Sequence, residues 1–359
     1  MYKRIAVKIG SNVLTRHDGR LDITRVSALV DQIAYLHKAG VETVLISSGA
    51  VASGRSELHP EKKLDAVSAR QLFSAVGQAK LINRYYEFFK EQGIACGQIL
   101  TTKENFGSRY LYLNQKHCIE VMLDNDVIPI VNENDTTSIT ELMFTDNDEL
   151  SGLIAAMMDV EALIILSNID GIFNGSPSDP KSEVIREIIP GQQDFSTYIS
   201  DQKSTFGRGG MNTKCAIAQK VADQGIAVII ANGKRENILI DLLKNPKSTV
   251  CTFFHPAPKE VSSVKKWIAH SEDFAKGVIY VNKGAEEALR NEAKATSLLP
   301  VGITKIEGHF EEDDIVKIAD EAGKIIGVGK VQYDSDTALN CMGEKGHRPL
   351  VHYDFLYID

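Results

Sequence analysis

The sequence predicts an α/β protein in which helices sandwich a mostly parallel sheet, followed by a small, mostly β barrel domain. Two observations lead to this prediction. Strand-like and helix-like segments alternate over about the first 250 residues, and the alternation stops near residue 245. Beyond that point the apolar runs are short and lie beside glycine-containing turns, which is typical of small β domains.

The alternation begins with a short apolar run at Arg4–Ile9 and a helix over Asp22–Ala39, whose apolar residues recur with nearly helical spacing. The next strand is Val41–Ile46, and a long helix follows over Leu64–Gln92 with a break expected near Gly77. Further strands are predicted at Ile94–Leu100, Val127–Val131, Ala162–Leu166 and Ile226–Ala231, with helices at Leu113–Asn125, Asn147–Met158 and Met211–Gln224. Right-handed crossovers then make the sheet mostly parallel, and ligands are expected beyond the carboxyl ends of its strands.

The stretch His255–Pro258 is expected to be an extended linker because its prolines disfavour helix and sheet. After it come predicted strands at Gly277–Val281, Ile315–Ala319 and Ile325–Val331, with one helix at Ala285–Arg290. We therefore divide the chain into a catalytic domain at 1–252, a linker at 253–260 and a second domain at 261–359.

The composition is that of a soluble globular protein, with 43% hydrophobic and 25% charged residues. No apolar run is long enough to span a bilayer, and no signal-peptide pattern precedes the first strand. Five cysteines without CxxC spacing indicate reduced thiols in a cytoplasmic protein, with no disulfide framework and no zinc site. Nine histidines also lack ligand spacing, so any metal is expected to arrive with a substrate.

The net charge is −8, and residues 260–359 carry −6 of it, from 12 Lys/Arg and 18 Asp/Glu. An acidic tail disfavours an interface with phosphates, because Lys and Arg supply most of the affinity for nucleic acids. Nucleic-acid binding is therefore not the expected main function.

Two lysines lie in glycine-containing turns far apart in the chain. Lys8 belongs to VKIGSN at the end of the first strand, and Lys214 belongs to GGMNTK at the start of a helix. Glycine lets the backbone approach phosphate oxygens, a helix N-terminus offers N–H groups, and lysine adds a mobile positive charge. Neither turn matches the Walker pattern, and GxGxxG is absent. The pair is suited to gripping a phosphate from two sides.

Between the lysines, two acidic and amide-rich clusters follow or open predicted elements: Asn132–Thr136 after a strand, and Asp146–Asp148 before a helix. The second cluster is open to a simpler interpretation as a helix N-cap. A zwitterionic amino-acid substrate would nevertheless find acceptors for its ammonium in Asp135 and Asn147. Donors for its carboxylates would come from Ser48 with the backbone of Gly49 and Ala50, and Asp148 could hold the two lysines as an ion partner.

The motifs VKIGSNV, ISSGAV, VNENDT, DNDELS and GGMNTK, in this order, resemble those of the amino acid kinase superfamily and, within it, of the glutamate 5-kinases. The resemblance covers the first domain, and the tail, through Ser297–Ile303, resembles a PUA domain. It implies the amino acid kinase fold and transfer of the ATP γ-phosphoryl group to the side-chain carboxylate of L-glutamate, giving L-glutamyl 5-phosphate, the first intermediate of proline biosynthesis.

The resemblance also implies roles for particular residues. Lys8 and Lys214 would stabilise the transferring phosphoryl group and Asp148 would orient them, while Ser48, Gly49, Ala50, Asp135 and Asn147 would hold glutamate. Contacts to ATP would come from Lys8, Gly10, Ser167, Asn168, Gly209, Gly210, Met211, Asn212, Thr213 and Lys214. Mg²⁺ would be carried mainly by the nucleotide, with no metal site formed by the protein itself. The family further implies proline as a feedback inhibitor and a homo-oligomer, dimer or tetramer.

Two positions depart from the family pattern. Ser167-Asn168 stands where Thr-Asp is usual, which removes a carboxylate from the nucleotide contact, and Arg208 stands where a small polar residue is common. Two alternatives also remain: a kinase of the same superfamily acting on aspartate, acetylglutamate, uridylate or carbamate, and an RNA-binding PUA protein. A substrate panel separates the first, and the acidic tail argues against the second.

Overall fold

The computed structural model describes residues 2–137, 144, 146–177, 179–190, 210–258, 262–291 and 294–358. The chain divides into two compact units, Met1–Glu260 and Val261–Asp359. Each unit has its own sheet and its own hydrophobic core. The predicted architecture, an α/β part with a mostly parallel sheet and then a mostly β part, is confirmed.

The sheet of the first unit has the strand order β3-β4-β2-β1-β5-β7-β8-β6. Its strands are β1 (Arg4–Ile9), β2 (Glu42–Ser47), β3 (Ala95–Thr101), β4 (Val127–Glu133), β5 (Ala162–Ser167), β6 (Glu187–Ile188), β7 (Ala227–Asn232) and β8 (Cys251–Phe254). All neighbouring pairs are parallel except β7 with β8. The strands β1 and β5 therefore lie at the centre, with their carboxyl ends at the same edge.

Both faces of the central strands are covered, as expected for parallel strands with helical crossovers. Every residue of β5 is buried, and Ile5, Val7 and Ile9 of β1 belong to one apolar core with residues of the helices. The helices are α1 (Ser11–Leu14), α2 (Ile23–Lys38), α3 (Ala50–Arg55), α4 (Ala66–Glu91), α5 (Glu104–Gly107), α6 (Arg109–Asp124), α7 (Asn147–Met157), α8 (Met211–Ala222) and α9 (Ile238–Lys244). Helix α2 packs against α4 and α9, while α7 packs against α8 and on β1 and β5.

The predicted break in the long helix near Gly77 is wrong. Helix α4 runs without interruption from Ala66 to Glu91. A Cβ atom at Gly77 would lie only 1.8 Å from the carbonyl oxygen of Ala50, and one at Gly54 would lie 1.8 Å from that of Phe73. The glycine is therefore needed for the close approach of α3 and α4, and it does not end the helix.

The other predicted elements agree with the observed ones within two residues, except that α6 begins four residues earlier, at Arg109. Several elements were not predicted, among them α1, α3, α9 and β8 of the first unit and the strands Ile303–Gly308 and Val351–Ile358 of the second. Strand β8 ends at Phe254, so the proposed linker at 253–260 begins inside that strand.

The second unit contains a five-stranded sheet with the order β10-β9-β11-β12-β13. Its elements are α10 (Ser263–Ala269), β9 (Gly277–Val281), α11 (Lys283–Arg290), β10 (Ile303–Gly308), β11 (Ile315–Ala319), β12 (Ile325–Val331), α12 (Ser335–Cys341) and β13 (Val351–Ile358). Strands β9 and β11 are parallel and the other pairs antiparallel. Across the residues described in both units, no helix is long and apolar enough to cross a bilayer.

Candidate active site

A cavity of about 880 Å³ lies at the carboxyl-terminal edge of the first unit's sheet. The predicted site residues that line it are Lys8, Gly10, Ser48, Gly49, Ala50, Asp135, Asn147, Asp148, Ser167, Asn168, Gly210, Met211 and Lys214. Asn212 and Thr213 lie on α8 without lining the cavity, whereas Gly209 and Arg208 fall outside the described residues. Parallel strands bring these residues together because all their carboxyl ends meet at one edge.

The two lysines share one carboxylate. Lys8 Nζ lies 2.5 Å from Asp148 Oδ1, and Lys214 Nζ lies 3.0 Å from Asp148 Oδ2. Asp148 is only 1% exposed, and the lysine side chains are 5% and 12% exposed, respectively. Charges so deeply buried require partners, and Asp148 is the partner of both lysines. All three side chains line the cavity, so two ammonium groups lie at one part of its wall.

Burial by itself would raise the pKa of the Asp148 carboxyl group. The charges of Lys8 and Lys214 and their hydrogen bonds overcome that effect and hold the pKa below its ordinary value. Asp148 is therefore ionised throughout the neutral range, and both lysines keep their counter-ion.

Asp146 is the N-cap of α7. Its Oδ1 atom accepts hydrogen bonds from the backbone N–H groups of Asp148 (2.9 Å) and Glu149 (3.0 Å). Its Oδ2 atom is buried and makes no hydrogen bond among the described residues, and the side chain faces the cavity. Burial, followed by the neighbouring charge of Asp148, raises the pKa of Asp146. Asp146 is thus an N-cap through its Oδ1 atom, as the simpler interpretation predicted, while its Oδ2 atom is available to a ligand.

Helix α8 presents its N-terminus to the cavity. Gly210 occupies the N-cap position without a side-chain hydrogen bond, and Met211 and Lys214 of the first turn line the cavity wall. The N–H groups of the first turn and the positive end of a 12-residue helix favour an anion at this position.

On the other side of the cavity, Asn147 joins the ends of two strands. Its Nδ2 atom donates to Ser48 Oγ at 2.9 Å and to Asn132 Oδ1 at 3.1 Å. Asn132 in turn donates to Gln78 Oε1 of α4 at 2.9 Å. This chain of amides fixes the Ser48 hydroxyl and leaves a polar wall that faces the same space as the lysines.

Gly49 begins α3 next to Ser48. Its φ is +105°, in the left-handed region that glycine adopts without strain. This conformation turns the chain from β2 directly into α3, and Gly49 and Ala50 at the start of that short helix line the cavity. The close packing of α3 on α4 at Gly54 and Gly77 holds this turn in place.

Asp135 is engaged by an arginine from α4. Arg70 forms ion pairs with both Asp135 and Glu133, and Ser74 Oγ donates to Asp135 Oδ2 at 3.4 Å. Arg70 and Glu133 also line the cavity. This part of the cavity wall therefore contains two carboxylates bridged by one guanidinium group.

The remaining wall combines Ser167 and Asn168 with the apolar side chains of Ile172, Phe173 and Pro177. Asn168 has no carboxylate, and the nearby Asp170 is bound by Arg235 through two contacts of 2.7 Å and by Asn232 at 3.0 Å. The Asp170 carboxylate therefore links the loop after β5 to the end of β7, and the neighbouring part of the cavity wall is mostly apolar.

Sequence reasoning assigned no role to several cavity residues. Asn132 and Glu133 lie within the motif VNENDT, and their position beside Asp135 in that motif could have indicated that they line the site. Arg70 gave none, since an arginine on an amphipathic helix usually faces solvent. Ile172, Phe173 and Pro177 gave none either, because apolar residues after a strand have no characteristic spacing.

Comparison with known proteins identifies the class. The amino acid kinase family matches residues 3–232 of the chain, and the PUA domain matches residues 277–352. The glutamate 5-kinase of Bacteroides thetaiotaomicron is 70% identical over 358 residues, which cover 100% of this chain and 99% of that protein. The glutamate 5-kinase of Chlorobaculum tepidum is 48% identical over 361 residues, covering 100% and 98%. That of a Thermoanaerobacter species is 37% identical over 345 residues, covering 96% and 91%.

The chain therefore belongs to the glutamate 5-kinases of the amino acid kinase family. The resemblance drawn from its five motifs is confirmed, including the PUA domain of the tail.

Proposed function

We propose that the cavity described above transfers the γ-phosphoryl group of ATP to the side-chain carboxylate of L-glutamate and gives L-glutamyl 5-phosphate. This reaction is the first step of proline biosynthesis. The observation that carries the assignment is the sharing of Asp148 by Lys8 and Lys214, at 2.5 and 3.0 Å, in a cavity with an amide- and carboxylate-lined wall opposite. Two buried ammonium groups suit a phosphoryl group in transfer, and the wall suits an amino acid.

The two ammonium groups would stabilise the charge that spreads over the equatorial oxygens of the phosphoryl group during transfer. Because Asp148 holds them before the substrates arrive, little reorganisation is needed in the transition state. The acceptor carboxylate of glutamate is already ionised at neutral pH, so the reaction requires no general base.

The acceptor subsite would use Asp135 and Asn147 for the α-ammonium group and Ser48 for a carboxylate of the substrate. The backbone N–H groups at Gly49 and Ala50 would donate to a carboxylate. Hydrogen bonds of Asn147 to Ser48 and Asn132 support this assignment, because they fix the side chains in place.

The nucleotide would lie along Ser167, Asn168 and the N-terminus of α8. Gly10 lines the cavity beside Lys8, and a Cβ atom there would lie 3.1 Å from the Leu166 carbonyl oxygen and 3.7 Å from Lys8 Nζ, so a side chain would crowd this part of the site. Gly210 and Met211 of the cavity lining would contact the phosphates of the nucleotide, together with the predicted residues Asn212 and Thr213 and with Gly209, which lies outside the described residues. Ile172, Phe173 and Pro177 supply an apolar surface suited to a purine ring.

Mg²⁺ would arrive with ATP. Among the described residues no group of three or more His, Cys, Asp or Glu side chains could hold a metal ion. The buried Oδ2 atom of Asp146, without a hydrogen bond in the described part of the chain, is a carboxylate oxygen that would suit the ion, which ordinarily keeps several waters and phosphate ligands. When bound, Mg²⁺ neutralises charge on the phosphates.

We further propose a cytoplasmic homo-oligomer, dimer or tetramer, in which proline inhibits by binding at or near the glutamate subsite. Light scattering tests the assembly, and competition between proline and glutamate tests the site of inhibition.

The assignment is tested by ADP production from ATP and Mg²⁺ with a panel of acceptors: L-glutamate, aspartate, acetylglutamate, uridylate and carbamate. The expected result is glutamate-dependent ADP release with negligible rates for the other acceptors. A preferred acceptor other than glutamate would overturn the substrate assignment, and a lack of acceptor-dependent ADP with all five would overturn the proposed function.

A further inference from the structure

Arg70 occupies an unusual position for a helical arginine. It extends from the N-terminal part of α4 into the cavity, where its side chain is only 12% exposed. It forms ion pairs with Glu133 and Asp135, whose side chains are 4% and 8% exposed. One guanidinium group thus bridges the last residue of β4 and a residue of the turn that follows.

Without a cation, this arrangement would be unfavourable. Glu133 and Asp135 are two residues apart and both are buried, so two negative charges would be desolvated near each other. The backbone between them is held as well, because the Asn134 N–H donates to the Thr101 carbonyl oxygen at 2.7 Å. Arg70 is suited to bridge the pair, since its planar group binds carboxylates with a defined orientation.

The partners of Arg70 differ from those of the phosphoryl-binding lysines. Lys8 and Lys214 pair with Asp148, whereas Arg70 pairs with Glu133 and Asp135. Glu133 has a structural role in addition, because its Oε1 atom accepts the backbone N–H of Phe144 at 3.2 Å. Both carboxylates line the cavity, and Asp135 is the one that the proposed function assigns to the substrate, so Arg70 would set its direction.

We infer that Arg70 is a positioning residue that aims Asp135 at the α-ammonium group of the acceptor and so determines the preference for α-amino acids. The inference rests on the proposed function, in which Asp135 binds that group. Arg70 acts through Asp135, so its loss should weaken recognition of the ammonium group. The binding of the nucleotide, and of substrate analogues that lack an ammonium group, should be nearly unaffected.

The test compares Arg70→Gln and Arg70→Lys with Arg84→Gln, a control on the same helix whose partner Glu87 is exposed. Initial rates give kcat and KM for L-glutamate and ATP, and glutarate, which lacks the ammonium group, gives a competitive inhibition constant. In Arg70→Gln the KM for glutamate should rise about tenfold to a hundredfold, as expected when a charge-assisted contact is misaligned. The KM for ATP and the glutarate inhibition constant should stay within about threefold of wild type, which is below the effect of one lost contact.

Arg70→Lys keeps the charge without the planar fork, so its KM for glutamate should lie between those of wild type and Arg70→Gln. In an Asp135→Asn background, Arg70→Gln should raise the KM for glutamate by less than a further factor of about three, because the effects of residues that act through one another are not additive. Thermal unfolding establishes that each variant is folded. If Arg70→Gln does not fold, the Arg70→Lys variant decides by its ratio of glutamate KM to glutarate inhibition constant.

Equal weakening of glutamate and glutarate binding in Arg70→Gln would overturn the inference. So would additive effects of Arg70→Gln and Asp135→Asn on the KM for glutamate, or an unchanged ratio of glutamate KM to glutarate inhibition constant in both Arg70 variants. These outcomes differ from failure of the proposed function, in which wild-type protein itself shows no glutamate-dependent ADP release.

Discussion

Replacing Lys214 by alanine removes one of the two cations of the proposed phosphoryl-binding cluster. In the native structure Lys214 Nζ lies 3.0 Å from Asp148 Oδ2, and Lys8 Nζ lies 2.5 Å from the other oxygen. The variant therefore leaves Asp148 paired with Lys8 and does not create an unpaired buried charge. We expect it to fold, with a decrease in the free energy of unfolding of about 1.5–3 kcal/mol, the contribution of one hydrogen bond between charged groups.

The effect on turnover should be larger than the effect on stability. Removing one preorganised donor from the charge that develops on a transferring group costs about 3 kcal/mol. At about 1.4 kcal/mol per factor of ten, kcat should fall about 150-fold. The KM for glutamate should change little, because the contacts of Asn147 and Asp135 do not include Lys214. Lys8→Ala should behave similarly.

The assay is ADP release at saturating ATP and glutamate, with circular dichroism to verify folding. Lys220→Ala is the matched control, since Lys220 lies in the last turn of the same helix, away from the cavity. A folded Lys214→Ala protein with kcat within about threefold of the control would refute the role of Lys214, because one lost donor costs far more.

Three further predictions concern other parts of the chain. Asp135→Ala and Asn147→Ala should each raise the KM for glutamate roughly tenfold or more in initial-rate assays with little change for ATP, and a selective rise for ATP would show that the subsites are assigned the wrong way round. Asp146→Asn keeps an N-cap and should raise the melting temperature more at about pH 7 than at about pH 4. The pKa of Asp146 is raised in the folded protein, so the folded protein loses stability as the pH rises through that raised value. Asparagine carries no charge at either pH and therefore avoids this loss. Equal shifts at both pH values would contradict this reasoning. A chain ending at Pro258 should remain folded and phosphorylate glutamate, because every proposed site residue precedes that point, whereas a folded but inactive chain would show that the second unit completes the site.

The order of the long elements of the first unit, and most of their boundaries, could be predicted because they depend on local patterns. Apolar residues repeat with the helical period in α2, and a short continuous apolar run produces the fully buried β5. Short elements such as α3 and β8 escaped prediction, since a few residues carry too little periodicity. The expected break at Gly77 failed for a related reason: the sequence marks a glycine, and only the packing of α3 on α4 shows that it serves a close contact.

The sequence by itself determined the family, through five ordered motifs, and it placed polar residues at strand ends where a parallel sheet collects ligands. The sequence suggested Asp148 as the ion partner of the two lysines, but only the tertiary structure showed that these charges meet and that Arg70 joins Glu133 and Asp135. Lys8 and Asp148 are 140 residues apart, yet they touch because β1 and α7 pack together at the centre of the sheet. Arg70 reaches Asp135 across 65 residues because α4 runs past the end of β4. Local patterns specify helices and strands, whereas contacts between distant side chains depend on strand order and helix packing, which no short window of sequence contains.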